Sequence, residues 1–108
     1  MSVDQSLADA GVGLTHHFGG GVYAKETLIP AGVTLVQHVH KFDHLSILGS
    51  GMALVSVDGV DAEHRGPACL LITAGKAHSV QAVTPVVWFC VHATTETDPD
   101  KVDGELIA

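Results

Sequence analysis

Four of the chain's eight histidines fall at a spacing that metal chemistry can use. His38 and His40 are two residues apart in a β-rich run. Their side chains therefore leave the same face, about 7 Å apart at the ~3.3 Å rise of a strand, and both can reach one ion. The short turn Lys41-Phe42-Asp43 leads to His44, and an antiparallel return would bring its imidazole back beside the first pair. His78 opens a later run in which it shares parity with Val80 and Ala82, while Ser79 and Gln81 alternate to the other face, so His78 points inward. Imidazoles suit zinc, copper, iron and nickel, and magnesium and calcium, which want oxygen ligands, are poor candidates. The expected cofactor is one divalent transition-metal ion: iron, manganese, nickel, copper or zinc.

A histidine standing alone in a strand is ordinarily a half-buried polar residue, and spacing is what separates these four from the others. His16 and His17 are adjacent, so on a strand they face opposite ways and cannot both join a cluster. His64 lies in the charged stretch Asp61-Ala62-Glu63-His64-Arg65 and reads as solvent-exposed. His92 follows Trp88 and Cys90 at period two and shares their face; if that face is the inner one, His92 is a candidate acid/base residue, and its plainer role is structural. Walls for a small-molecule pocket are offered by Phe42, Met52, Trp88 and Phe89, and polar contacts by Tyr23, Lys25 and Gln81; for each of these the alternative is packing or surface.

Short β-rich runs must position these groups, since no long stretch has helical period. The expected strands are residues 22–29, 34–40, 44–48, 52–57, 60–64, 68–72, 77–83 and 86–92. Gly49-Ser50-Gly51 and Asp58-Gly59 are short breaks between runs and predict two antiparallel hairpins, Asp-Gly being a strong signal because both central residues of a type I′ turn need positive φ. Pro30, Gly32, Gly66-Pro67, Gly75 and Pro85 punctuate the remainder, and there is no internal repeat. The fold class is all-β, a single barrel domain over residues 1–108 with its core at about 22–92. The tail, 93–108, carries five acidic residues against Lys101 and reads as lying outside the core, with Leu106 and Ile107 available to dock.

Composition narrows the function classes. With 46% apolar and 16% charged residues in 108, the chain is one globular domain rather than a disordered segment. Its apolar runs are far shorter than the ~20 residues of a membrane helix, so no membrane span is expected. A net charge of −7 repels a phosphate backbone and argues against nucleic acid as a partner. Residues 1–13 contain Asp4 and Asp9 and no Lys or Arg, unlike a signal peptide, so a cytoplasmic location is expected. Cys69 and Cys90 both sit in apolar runs and read as reduced core thiols. The stretches 45–48, 69–72 and 85–91 are apolar on both faces, which in so small a domain predicts that a partner covers one of them, as in a homodimer.

The histidine spacing resembles the cupin superfamily. Its first motif runs Gly, five residues, His-x-His, three or four residues, Glu, six residues, Gly; here it reads Gly32, five residues, His38-Val39-His40, three residues, His44, six residues, Gly51. The single departure is His44 in place of the usual glutamate. The second motif is looser: Gly66, Gly75 and His78 match, one extra residue follows Gly66, and Thr73 and Ala82 stand where the family has proline and asparagine. The resemblance spans roughly 22–92 and implies a cupin-type double-stranded β-helix, or jelly-roll barrel. It also implies that His38, His40, His44 and His78 are the metal ligands.

Replacing a carboxylate by a neutral imidazole raises the net charge of a divalent site from one to two positive units, which makes a stronger Lewis acid that attracts an anionic or enolate ligand. An octahedral ion on four imidazoles keeps two positions open. The resemblance therefore implies a mononuclear metal enzyme, a dioxygenase-like oxidoreductase acting on a small oxygenated or anionic metabolite. The alternatives are a cupin isomerase or lyase and a non-catalytic binding module for a sugar or metabolite whose metal is structural.

Overall fold

The computed structural model describes residues 10–99 and 101, apart from 38 and 40. Among the described residues the strands are β1 Gly13–Gly19, β2 Val22–Ile29, β3 Thr34–Gln37, β4 His44–Ser50, β5 Met52–Val57, β6 Val60–Arg65, β7 Ala68–Ile72, β8 His78–Ala82 and β9 Val86–Ala93. The architecture grows from the Asp58-Gly59 turn, where both residues take positive φ, 47° and 82°, as a type I′ turn demands. From there the pairing is nested: β5 with β6, β4 with β7, β3 with β8 and β2 with β9, all antiparallel. The chain from β2 to β9 is thus one long hairpin. Rolled up, it distributes its strands into two sheets, β1-β2-β9-β4-β7 and β3-β8-β5-β6. This is the expected double-stranded β-helix.

Between the sheets lies a dry core that includes Ile29, Leu35, Leu48, Ala53, Val55, Val80, Ala82, Val86 and Trp88. Strict alternation supplies it: on β9, Val86, Trp88, Cys90 and His92 are buried while Val87, Phe89 and Val91 are turned to the outer side. That fixes the face which the sequence left open for Trp88 and Phe89. Full burial of one such aliphatic side chain contributes roughly 1.5–3 kcal/mol. No helix among the described residues is long and apolar enough to cross a membrane.

Several expectations are corrected. β1 was not expected; it joins β2 through Gly20 and Gly21, which both take positive φ, and its alternation of Leu14, His16 and Phe18 inward against Thr15 and His17 outward is masked in sequence by its glycines and paired histidines. Gly49-Ser50-Gly51 closes no hairpin, because β4 and β5 lie in different sheets and the segment carries the chain across. For the same reason β4 does not return beside β3. Cys69 is exposed, since on β7 it alternates outward from the buried Ile72, and both cysteines are free. The start of the tail is docked: the Thr94 N–H donates to the Gly21 carbonyl (3.0 Å), and the side chain of Thr94 is buried. Leu106 and Ile107 lie outside the described residues.

Gly51 has a specific task at the sheet crossing. It takes φ 91°, its carbonyl accepts from the Gly66 N–H (2.9 Å), and a Cβ there would collide with the Pro85 carbonyl. Gly59 also takes positive φ but a Cβ there would meet open space. In urea denaturation Gly59→Ala is expected to cost about 1–2 kcal/mol, the left-handed backbone penalty alone. Gly51→Ala is expected to cost at least about twice that, because the backbone collision adds to the same penalty. Equal losses would show that the crossing is not tightly packed.

Candidate metal centre

The antiparallel register lines up the inner residues of the five-stranded sheet in rows. One row reads Phe18, Tyr23, His92, His44, Ile72, with one residue from each strand: Phe18 faces Tyr23, Tyr23 faces His92, the Leu45–Val91 pairing sets His44 beside His92, and His44 faces Ile72. The His44 and His92 rings stack at 4.5 Å and 27°, and Tyr23 lies 6.5 Å from His92 and 4.9 Å from Phe18. The Tyr23 hydroxyl shares a 2.7 Å hydrogen bond with His16 Nδ1. From the opposite sheet His78, held inward between Val57 on β5 and Gln37 on β3, brings its ring centre to 5.8 Å from that of His44. These side chains are almost closed to solvent, with Tyr23 2%, His78 3%, His44 4% and His92 4% exposed.

The row beneath is polar rather than aromatic: His16, Lys25, Cys90, Ser46 and Leu70. Ser46 Oγ lies 3.8 Å from Cys90 Sγ. Below that come Leu14, Thr27, Trp88, Leu48 and Ala68, a largely apolar floor. The inner face thus grades from titratable to apolar along the strands.

The electrostatics suit a ligand role for His44. Burial first, then the neighbouring His78, lowers its pKa from the usual 6.5 to about 4 against the opposing pull of Asp43 and a backbone hydrogen bond with Phe42. At neutral pH its imidazole is uncharged and keeps a lone pair for a metal. A metal–nitrogen bond of ~2 Å puts an ion about 3 Å from a ring centre, so rings 5.8 Å apart are within reach of one ion.

Among the described residues no group of three His, Cys, Asp or Glu is arranged to hold an ion, and the expected ligands His38 and His40 lie outside those residues. His44 and His78 are brought together, and His92 and Tyr23 join them. Phe42 sits in the bend before β4 and is 55% exposed. Met52 is on the outer parity of β5, at the end away from His78, and Trp88 belongs to the apolar core. His16 was not expected at the site; the inward period of Leu14, His16 and Phe18 is the signal for it. His17 faces out and meets Glu26 at 3.0 Å, while His64, opposite Ala53, is half-buried rather than exposed. A cleft of about 340 Å³ lined by residues including Pro30, Ser50 and Pro85 shares no residue with the histidine row. It opens at the apolar end of the barrel.

No family model and no curated protein matches the sequence. Among solved structures the chain is similar to an RmlC-like cupin from Shewanella frigidimarina, at 18% identity over 82% of this chain and 81% of that one, with a TM-score of 0.69. It is similar to a cupin superfamily protein from Desulfitobacterium hafniense, at 14% identity over 77% of each chain and a TM-score of 0.67. It is also similar to a salicylate 1,2-dioxygenase from Pseudoaminobacter salicylatoxidans, at 12% identity over 82% of this chain and a TM-score of 0.70. The match covers 29% of the dioxygenase, so the chain spans under a third of that enzyme's length. At such identities the shared property is the fold.

The depressed pKa of His44 has a consequence for stability. Between pH 6.5 and about 4 the folded chain binds fewer protons at His44 than the unfolded chain does. Its contribution is therefore fully present above pH 6.5 and is lost as pH falls towards 4. Denaturation of chelator-treated protein across this window should give a steeper loss for wild type than for His44→Asn; parallel curves would mean that His44 is not the source.

Proposed function

We propose that this chain, which has the cupin fold, holds one divalent transition-metal ion on His38, His40, His44 and His78 and works as a mononuclear, dioxygenase-like oxidoreductase on a small oxygenated or anionic metabolite. The observation that carries the reading is the approach of His44 and His78 from opposite sheets to 5.8 Å, both buried, with His92 stacked on His44. The likeness to part of a salicylate 1,2-dioxygenase supports oxygen chemistry by analogy of fold. Iron, manganese, nickel, copper and zinc all suit the ligand chemistry, and a redox-active ion fits the proposed reaction.

When bound, the ion supplies Lewis acidity and redox capacity with coordination positions open to a small molecule. The chain's own residues do the rest. His44 offers a neutral nitrogen and His78 a second imidazole across from it. His92, braced between the rings of His44 and Tyr23, is the group placed to hold or move a proton beside them. Tyr23 is fixed in turn by its hydrogen bond to His16. Trp88, Leu48 and Thr27 close the floor and exclude water from below. Free thiols at Cys69 and Cys90 suit a reducing, cytoplasmic setting.

We further propose that a second copy covers the outer face of the five-stranded sheet. Its rows carry Ala24, Val91, Leu45 and Leu71, then Phe89, Ile47 and Cys69, and Leu45 and Leu71 are 49% and 63% exposed. An apolar face of this kind is self-complementary about a twofold axis. Leu71→Asp should convert a dimer to a monomer in analytical ultracentrifugation without loss of fold, and a monomeric wild type would refute the dimer.

The test of the metal reading is elemental analysis of tag-free protein with oxygen uptake on the same samples. About one iron, copper, manganese, nickel or zinc per wild-type chain is expected, falling severalfold or more in His44→Ala. Absence of metal after incubation with each would overturn the reading. Tightly held zinc without oxygen uptake would favour a structural metal in a binding module.

A further inference from the structure

Of the five Lys and Arg residues in the chain, four lie in turns, on outer faces or past the last strand: Lys41, Arg65, Lys76 and Lys101 are all exposed, and Lys76 pairs with Asp58 at 3.3 Å. Lys25 is different. Its partners across the sheet are His16 on β1 and Cys90 on β9, and it shares inner parity with the buried Tyr23, Thr27 and Ile29. It is half-buried, one inner row, about 7 Å along the strand, from the row of Tyr23, His92 and His44.

Among the described residues no carboxylate accompanies it. Glu26 and the β6 acids Asp61 and Glu63 point outward, opposite the outer residues Phe89, Ser56 and Leu54, and the other described acids sit in loops, turns or the tail. Among the described residues Lys25 makes no ion pair. The thiol beside it does not compensate: burial pushes the Cys90 pKa up, so it stays a neutral S–H that feels the positive charge of Lys25. The residues that the register sets beside Lys25 on the inner face, His16 and Cys90 with Ser46 next along the row, can hydrogen-bond without carrying negative charge. A half-buried lysine on an inner face, with no described carboxylate beside it, gains from an anion that can neutralise it.

We infer that Lys25 is an anion subsite for the carboxylate of a small organic acid, set one row beneath the histidine row, with the ring-lined row of Phe18, Tyr23 and His92 covering the acid's apolar body. The inference deepens the proposed function by naming the substrate class, and it rests on that reading for what the rest of the acid meets. A charge-assisted hydrogen bond gives the carboxylate its preference over a neutral isostere. The alternative is that the Lys25 stem merely packs while its ammonium reaches water.

The probes are benzoate and benzamide, which differ in charge but hardly in shape, titrated by calorimetry into the full chain both as purified and after chelator treatment. Wild type should bind benzoate at least about tenfold more tightly than benzamide. In chelator-treated Lys25→Met the two should bind alike, with the metal content of the purified protein unchanged and its thermal midpoint unchanged or raised, and Lys25→Arg should keep the preference. In chelator-treated protein an equal affinity in wild type, a preference that survives Lys25→Met, or no benzoate binding in the millimolar range would each overturn the subsite. Because the preference is also read in chelator-treated protein and metal is counted separately, loss of the metal reading and loss of the Lys25 subsite give different results.

Discussion

Everything at the candidate site depends on the antiparallel register of β2, β9 and β4. Side chains alternate across a strand, so slipping any one of these pairings by a single residue would exchange the two faces. His92 would be replaced inside by Val91 or Ala93, and His44 by Leu45. The register is held because the same parity buries Trp88, Val86 and Leu48, whose removal from the core would cost several kcal/mol in lost apolar burial. The apolar floor therefore sets the geometry of the polar end. The histidines do not organise the barrel; they occupy positions that the hydrophobic alternation has already aimed inward.

This division of labour explains the gradient along the inner face. Trp88, Leu48 and Thr27 are dry, Lys25, Cys90 and Ser46 come next, and the ring row of Tyr23, His92 and His44 stands beyond them. Burial and the neighbouring His78 hold the His44 imidazole neutral, which is what a metal ligand requires, and one row away Lys25 places its side chain on the same inner face. One face thus carries nitrogen donors and a lysine one row apart, the juxtaposition on which the proposed anion subsite rests.

Much of this was legible in the sequence. The strands β2, β5 and β7 follow from alternation and turn residues alone, and Asp58-Gly59 marks the central hairpin because a type I′ turn has strict backbone needs. The break at Gly49-Ser50-Gly51 misled because glycine permits a sheet crossing as readily as a hairpin, and only long-range pairing tells them apart. For β9 the stretch 85–91 is apolar on both faces, so parity could join His92 to Trp88 without choosing a side; the exposed outer sheet with Leu45 and Leu71 decides it. The spacing that relates His44 to His78 is written in the motifs, while His16 is hidden by its neighbour His17, and the inward turn of Lys25 by a run in which charged residues sit at consecutive positions. His38 and His40, the best-spaced pair in the sequence, lie outside the described residues.

The nested pairing also orders events in time. Val57 and Val60 flank the turn and meet after closing the smallest loop, whereas Tyr23 and His92 are joined by the outermost pair. Each inner pair, once formed, shortens the effective loop that the next must close, so assembly by zippering outward from Asp58-Gly59 is the path of least entropic cost. The β4–β7 pair would then hold His44 early, the β3–β8 pair would add His78, and His92 would arrive with the last strands to close. A chain halted partway would have a formed hairpin and an incomplete ring row, which makes the histidine row a reporter of completed folding.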